Sequence, residues 1–83
     1  MSNEQIIEKV GKGWVQKRFL EDLLKFGETS EFRQYATSQA YFGKYARGFL
    51  NAISRLERET GIKVEIIMGS RGGYWTAHAK IVS

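Results

Sequence analysis

The sequence predicts an α+β fold in which helices come first and a β-hairpin comes last. As far as Leu56, apolar residues recur at the helical spacing of about 3.6 residues. From Lys63 onward they alternate with polar residues, and the glycine-rich stretch 69–73 divides this part into two strands. The 83 residues are enough for one small core. We therefore expect a single domain over residues 1–83.

The composition excludes several classes of protein. Cysteine is absent, so neither a disulfide framework nor a thiolate zinc site is possible, and a reducing cytoplasm fits. The N-terminal run MSNEQIIEKVGKGW carries two acids and no continuous apolar stretch, which predicts neither a signal peptide nor a membrane span.

Residues 1–13 are predicted to form a short N-terminal helix. Ser2 and Gln5 have the spacing of a capping box, and the glycines of 11–13 end the helix. We expect Trp14 to fold back onto the core. Two roles remain open for the apolar side of this helix, a dimer surface or packing on its own core, and that side carries Ile6, Ile7 and Val10.

Two further helices are expected before residue 42. The first has an apolar stripe with Gly27 at the position of a C-terminal cap. A third helix can begin at Thr29 or Ser30, although Thr37 and Ser38 can interrupt it. The stripe of the first consists of Val15, Phe19, Leu20, Leu23 and Leu24, and that of the second of Phe32, Tyr35, Ala36 and Ala40.

The fourth helix, predicted over 44–59, is strongly amphipathic. With Ala46 at zero and about 100° per residue, one arc is apolar and is expected to face the core. The opposite arc is cationic and carries one amide and one glycine. The apolar arc holds Phe49, Leu50, Ile53 and Leu56, and the opposite arc holds Lys44, Arg47, Gly48, Asn51, Arg55 and Arg58.

The residue types on the cationic arc are those that contact nucleic acid. Lys and Arg neutralise phosphates, Arg can bind the O6 and N7 atoms of guanine, and Asn can pair with adenine. Gly48 would let the backbone approach a groove wall. The alternative is an ordinary solvated face, since exposed helices often carry Arg and Lys and since Glu57 and Glu59 partly cancel the charge.

After Thr60 and Gly61, which have the character of a helix C-terminus, the pattern predicts a hairpin with the loop 69–73. The glycines around Arg71 supply the backbone freedom of a tight loop and leave its tip thin. An ordinary turn with one solubilising arginine is the alternative. We expect Tyr74 and Trp75 to pack against the helices.

Positive charge is concentrated in the second part of the chain. The net charge is +4. Residues 1–31 carry five basic and six acidic side chains, for −1, whereas residues 32–83 carry eight basic and three acidic ones, for +5. A surface that binds a polyanion would show this bias; so would a merely solvated basic surface.

The run ISRLERETGIKVEIIMGSRGGYW resembles the recognition helix and wing of winged helix-turn-helix proteins, among them small phage, prophage or bacterial transcriptional regulators. The resemblance implies a helix-turn-helix plus wing over 29–82, although 29–43 is longer than the usual second helix and turn. It places the recognition helix 44–59 in the major groove and the wing 69–73 on the DNA backbone or in the minor groove. The expected DNA-binding residues are Lys44, Tyr45, Arg47, Gly48, Asn51, Arg55, Arg58, Ser70 and Arg71.

The predicted function is sequence-specific or semi-specific binding of duplex DNA by a small transcriptional regulator, cytoplasmic and nucleoid-associated, with a possible homodimer. The alternative is a phage-type module that binds and inhibits a host protein such as polymerase or a defence complex; RNA binding ranks third. Catalysis, a metal and a cofactor are not expected, because His78 is the single histidine and cysteine is absent.

Overall fold

The computed structural model describes residues 2–35, 42–72 and 74–83, without the side chains of 33, 42–46, 71, 74 and 75. This part of the chain is an α+β arrangement of three α-helices and one antiparallel hairpin, as expected. The elements are α1 (Asn3–Val10), α2 (Gly13–Phe26), a 3-10 turn (Phe32–Gln34), α3 (Phe42–Thr60), β1 (Val64–Arg71) and β2 (Tyr74–Ile81).

The ends of α1 and α2 follow from local sequence. At the start of α1 the backbone N–H of Gln5 donates to Ser2 Oγ at 3.2 Å, and the N–H of Ser2 donates to Gln5 Oε1 at 2.9 Å. Gly27 follows α2 with a φ of 78°, and its N–H donates to the Leu23 carbonyl at 2.9 Å. The predictions of a capping box and a glycine cap are confirmed.

The predicted third helix is wrong in its first part, where only the 3-10 turn forms. Thr29 is buried, and its hydroxyl donates to the Ser30 carbonyl at 2.9 Å and accepts from the Ala79 N–H at 3.0 Å. The Thr29 hydroxyl cannot cap a helix because it is hydrogen-bonded to β2. The positions proposed for the rest of that helix, including Ala36 and Ala40, lie outside the described residues.

The hairpin is longer, and its turn shorter, than the sequence predicts. Unbroken pairing runs from Val64 opposite Ile81 to Arg71 opposite Tyr74. The strands are therefore joined by residues 72–73 alone, and the stretch 69–71 belongs to β1 rather than to a loop. The other edge of β2 is bonded to residues 27–29, with the Ile81 N–H donating to Gly27 O and the Thr29 N–H to Ala79 O, both at 2.8 Å.

Four aromatic rings form the centre of the core, which α2, the 3-10 turn and α3 share. Phe19 and Phe49 stack with their ring centroids 4.4 Å apart, and Phe32 meets both edge-on at 5.3 Å. Such pairs add about 0.5–1.5 kcal/mol each beyond the burial of their area. Around Phe19, Phe32, Tyr35 and Phe49 lie Ile6, Val10, Leu20, Leu23, Ala52, Ile53, Leu56, Ala77 and Ala79.

The core side of α3 is turned from the predicted arc. Leu50 was expected in the core but is 45% exposed, whereas Ala52, absent from the prediction, is fully buried. At 100° per residue the centre of the buried arc moves by roughly 45°. Trp14 was also expected on the core, and it is 63% exposed. Both expectations are wrong because helical spacing alone does not say which neighbours a helix meets.

We expect Ile53→Ala to lower the free energy of unfolding by about 2–5 kcal/mol, because it leaves a cavity beside the aromatic rings. Leu50→Ala should lower it by less than about 1 kcal/mol, because much of that side chain is already in water. Urea denaturation of the two variants checks this pair. A larger loss for Leu50→Ala would mean that α3 has the orientation predicted from its sequence.

Candidate nucleic-acid interface

Four exposed polar residues form a straight stripe along α3, which we call the outer face: Arg47, Asn51, Ser54 and Arg58. Their spacing of four, three and four residues keeps them within about 60° of one another around the helix. Glu57 lies at the border of this arc. The acidic Glu59 is turned to another side, where it binds Lys9 at 2.9 Å.

The two arginines of the outer face are not neutralised by neighbours. In the described ranges, neither Arg47 nor Arg58 has a hydrogen-bond or ion-pair partner, whereas the acids Glu8 and Glu59 are paired with Lys17 and Lys9. A free guanidinium offers five N–H donors in a planar fork. The outer face can therefore bind anions or acceptor groups without first breaking an internal contact.

Ser54 belongs to the outer face although the sequence analysis did not include it. It lies between Asn51 and Arg58 on the stripe and is exposed. Its hydroxyl can donate or accept a hydrogen bond. The signal that could have identified it is its spacing, three residues after Asn51 and four before Arg58, which places it within the cationic arc.

Gly48 and Arg55 do not lie on the outer face, which corrects their predicted positions. A Cβ atom on Gly48 would come within 3.0 Å of Gln16 Nε2, so this glycine allows the close approach of α2 rather than of a ligand. Arg55 is half-buried; its Nε donates to the Val10 carbonyl at 2.9 Å and its Nη2 to Gln16 Oε1 at 2.8 Å. Its guanidinium is thus occupied by the protein itself.

Gln16 joins α3 to the junction between α1 and α2. Its Oε1 accepts from Arg55 and also from the backbone N–H of Lys12 at 3.0 Å. Arg55 in turn satisfies the Val10 carbonyl at the end of α1. This network, which we call the Arg55 clamp, fixes which side of α3 faces the solvent.

The remaining predicted site residues are divided between two elements. Lys44 and Tyr45 lie in the first turn of α3 and Arg71 at the end of β1, but their side chains are outside the described part of the chain. Ser70 is exposed and sits opposite Trp75 in the hairpin. The structure thus brings Arg47, Asn51 and Arg58 together on one face and puts Ser70 on a different element.

A groove of about 360 Å³ lies between the start of α2 and α3, and the sequence analysis did not predict it. Its lining is residues 12–16 from one side and Gly48 and Phe49 from the other. None of these residues is acidic. Trp14, 63% exposed, is the largest side chain in this lining. The residues before it, Gly11, Lys12 and Gly13, give no sequence pattern that would assign Trp14 to a groove.

Tyr35 is the one described group with a clear pKa shift. Burial, and then its hydrogen bond to Asp22, raise the pKa of the Tyr35 hydroxyl. That hydroxyl donates to Asp22 Oδ2 at 2.6 Å and accepts from the Ser30 N–H at 3.1 Å. Only 5% of Tyr35 is exposed. The cluster therefore anchors the segment after α2 and offers no reactive group to a ligand.

Among the described residues, no three His, Asp or Glu side chains are grouped as a metal site would need. His78 is half-buried on β2, opposite Ile67. Within the same ranges no helix combines the length and apolar character needed to cross a membrane.

Comparison with protein-family models gave no match, and neither did comparison with curated proteins or with solved structures. What this chain binds must therefore be argued from its own residues.

We expect Arg55→Ala to lower the free energy of unfolding by about 1.5–3 kcal/mol, because the Val10 carbonyl loses a charged donor and Gln16 Oε1 loses one of its two donors. The matched variant Arg58→Ala removes an exposed arginine of the same helix and should change stability by no more than about 0.5 kcal/mol. Thermal and chemical denaturation compare the two. Equal stability of both variants would show that the Arg55 clamp does not hold α3.

Proposed function

We propose that this chain binds duplex DNA and that the outer face of α3 is the part that enters the major groove. One observation carries the proposal: two unpaired arginines, an amide and a hydroxyl are exposed in a single stripe with no acid among them. Such side chains serve both for contact with phosphates and for reading bases.

The dimensions of α3 suit a major groove. The groove is about 12 Å wide, and a helix with its side chains measures about 10–12 Å across. The eleven steps along the helix from Arg47 to Arg58 give a rise of about 16 Å, or about five base-pair steps. Arg47 and Asn51, one turn apart, are placed to bind neighbouring bases. Ser54 and Arg58 follow along the same stripe and are assigned to bases or to the groove edge.

The order of elements supports a winged-helix arrangement. Helix α2 is followed by the segment 27–29 that pairs with β2, then by the 3-10 turn, by α3 and by the hairpin. Only residues 61–63 separate α3 from β1. We propose that the hairpin is the wing, with its tip at residues 71–74 along the DNA backbone or in the minor groove.

Two described side chains on the far half of the hairpin are open to such a contact. On the side that buries Ala77 and Ala79 near the helices, Met68 is 60% exposed and Ser70 is exposed as well. The strands thus extend past the helical core toward their tip. Gly72, with a φ of 54°, adopts the left-handed conformation that a narrow turn requires.

The role that fits this size and surface is that of a small transcriptional regulator, of phage or other mobile-element type, acting on DNA in the cytoplasm. Homodimers are common among such regulators because operators are often palindromic. We propose no catalytic activity for it.

A protein partner is the second candidate, and the exposure of Leu50 favours it. Leu50 is 45% exposed at the border of the outer face, where a protein interface would use an apolar anchor. In that case the chain would inhibit a host protein rather than bind DNA. Affinity for duplex DNA separates the two candidates.

We expect Arg47→Ala and Asn51→Ala each to weaken duplex binding by about 1–3 kcal/mol, since a bidentate contact to a base contributes about that much. Fluorescence anisotropy with a labelled duplex, repeated at increasing salt, measures the loss. Lys25→Ala, which removes an exposed base beside Glu8 and Glu21 at the far end of α2, is the control and should leave affinity nearly unchanged.

The double variant Arg47→Ala, Asn51→Ala tests whether α3 contacts DNA. Full affinity in a double variant whose circular dichroism is unchanged would exclude α3 from the DNA interface. No affinity of the wild-type protein for any duplex, at low salt as well, would contradict DNA binding altogether.

A further inference from the structure

Trp14 is a large aromatic side chain that the fold leaves in water. It is 63% exposed although burial of an aromatic ring is among the strongest stabilising contributions available to so small a domain. Its neighbours Lys12 and Gly13 are exposed too. An exposed tryptophan in a groove is therefore a candidate ligand contact.

Part of the lining of the groove around Trp14 is held in place by the fold. Phe49, fully buried, forms part of its lining, and Gly48 lets α2 come close to α3. Gln16 on its other side is held by Arg55 and by the Lys12 N–H. Because Phe49 is buried and Gln16 is already hydrogen-bonded, this part of the lining does not depend on a ligand for its position.

The groove adjoins the outer face of α3. Gly48, which lines it, follows Arg47 directly in the helix. Asn51 lies one turn beyond Gly48 and about 60° around the axis. A ligand that covers the outer face is thus brought to the border of the groove and to Trp14.

Charge favours an anionic occupant. None of the described residues lining the groove is acidic, the first turn of α2 contains no acid, and Lys12 is exposed. Among the side chains that the structure describes, one other aromatic ring is strongly exposed and gives a contrast. Phe26 is 66% exposed, but it shares its surface depression with Asp22 and Glu28. Lys25 Nζ lies over the Phe26 ring, 5.3 Å from its centroid, but two acids line that depression, whereas the described lining at Trp14 contains none and suits a polyanion better.

The width of the major groove selects which part of DNA would reach Trp14. A helix of about 10–12 Å fills a groove of about 12 Å, so any element packed beside that helix meets the groove edge. The edge is sugar and phosphate rather than base. The start of α2 is such an element, because it is packed against α3 at Gly48.

We infer that Trp14 and Lys12 form a second DNA contact, the backbone contact, on the sugar-phosphate strand that borders the major groove occupied by α3. The indole ring packs on a deoxyribose, its Nε1–H donates to a phosphate oxygen, and the Lys12 ammonium binds an adjacent phosphate. This inference rests on the proposed binding of duplex DNA by α3. It makes the contact at Trp14 independent of base sequence.

Affinity for a labelled duplex of random sequence tests the backbone contact. Trp14→Ala should weaken binding on the order of tenfold, with Trp14→Phe between it and the wild type because the ring stays and the Nε1–H is lost. Lys12→Ala should reduce the salt slope by about 1, whereas Trp14→Ala should not, because it removes no charge. Phe26→Ala, the matched exposed aromatic, should bind like the wild type.

Fluorescence gives a second readout that does not depend on loss of affinity. The chain has two tryptophans, so Trp75→Phe leaves Trp14 as the sole emitter. Addition of duplex should shift its emission to shorter wavelength and protect it from acrylamide. Unchanged emission and full accessibility to acrylamide at saturating duplex would overturn the inference.

The outcomes separate this inference from the proposal on which it rests. If Arg47→Ala weakens binding while Trp14→Ala and Phe26→Ala both bind like the wild type, the backbone contact is wrong and DNA binding by α3 stands. If the wild-type protein binds no duplex, both fall. Tighter binding of single-stranded than of duplex DNA, lost in Trp14→Ala, would show base stacking at Trp14 and overturn the backbone contact.

Discussion

The rotation of α3 about its own axis is the constraint on which the rest of the structure depends. On one side Phe49 stacks on Phe19 with 4.4 Å between ring centroids, and on another Arg55 binds the Val10 carbonyl and Gln16. Burial of the ring is strong but nearly non-directional, whereas the hydrogen bonds are directional. Together they select one orientation. That orientation exposes Arg47, Asn51, Ser54 and Arg58 and turns Gly48 inward.

The parts of the fold that sequence predicts are those with local causes. The capping box at Ser2, the glycine cap at Gly27 and the change from helical to alternating spacing after Gly61 each lie within a few residues. The orientation of α3 could not be predicted in this way. The partners of Arg55 are 45 and 39 residues away, and nothing in the spacing of α3 indicates them. The same holds for Thr29, which is bonded to Ala79 across 50 residues.

The candidate site shows the same division. Arg47, Asn51 and Arg58 were predictable because charge periodicity on a helix is a local pattern, and Ser54 shares their spacing. Trp14 became visible only through its exposure. Tryptophan is largely buried on average, so its identity pointed the wrong way. What favours a role for it is the contrast with Phe26: both rings are exposed, 63% and 66%, yet among the described residues acids line only the depression at Phe26, where Lys25 also covers the ring. Exposure and surrounding charge must be considered together.

The central claim is that the outer face of α3 binds duplex DNA. Titration of the ¹⁵N-labelled protein with duplex, followed in ¹H–¹⁵N correlation spectra, maps the interface without altering any residue. The account predicts that shift changes concentrate on Arg47, Asn51, Ser54 and Arg58 and on the indole N–H of Trp14, with the signals of Phe26 and Val82 unchanged. Changes confined to Phe26 and Val82, or none at saturating duplex, would contradict it.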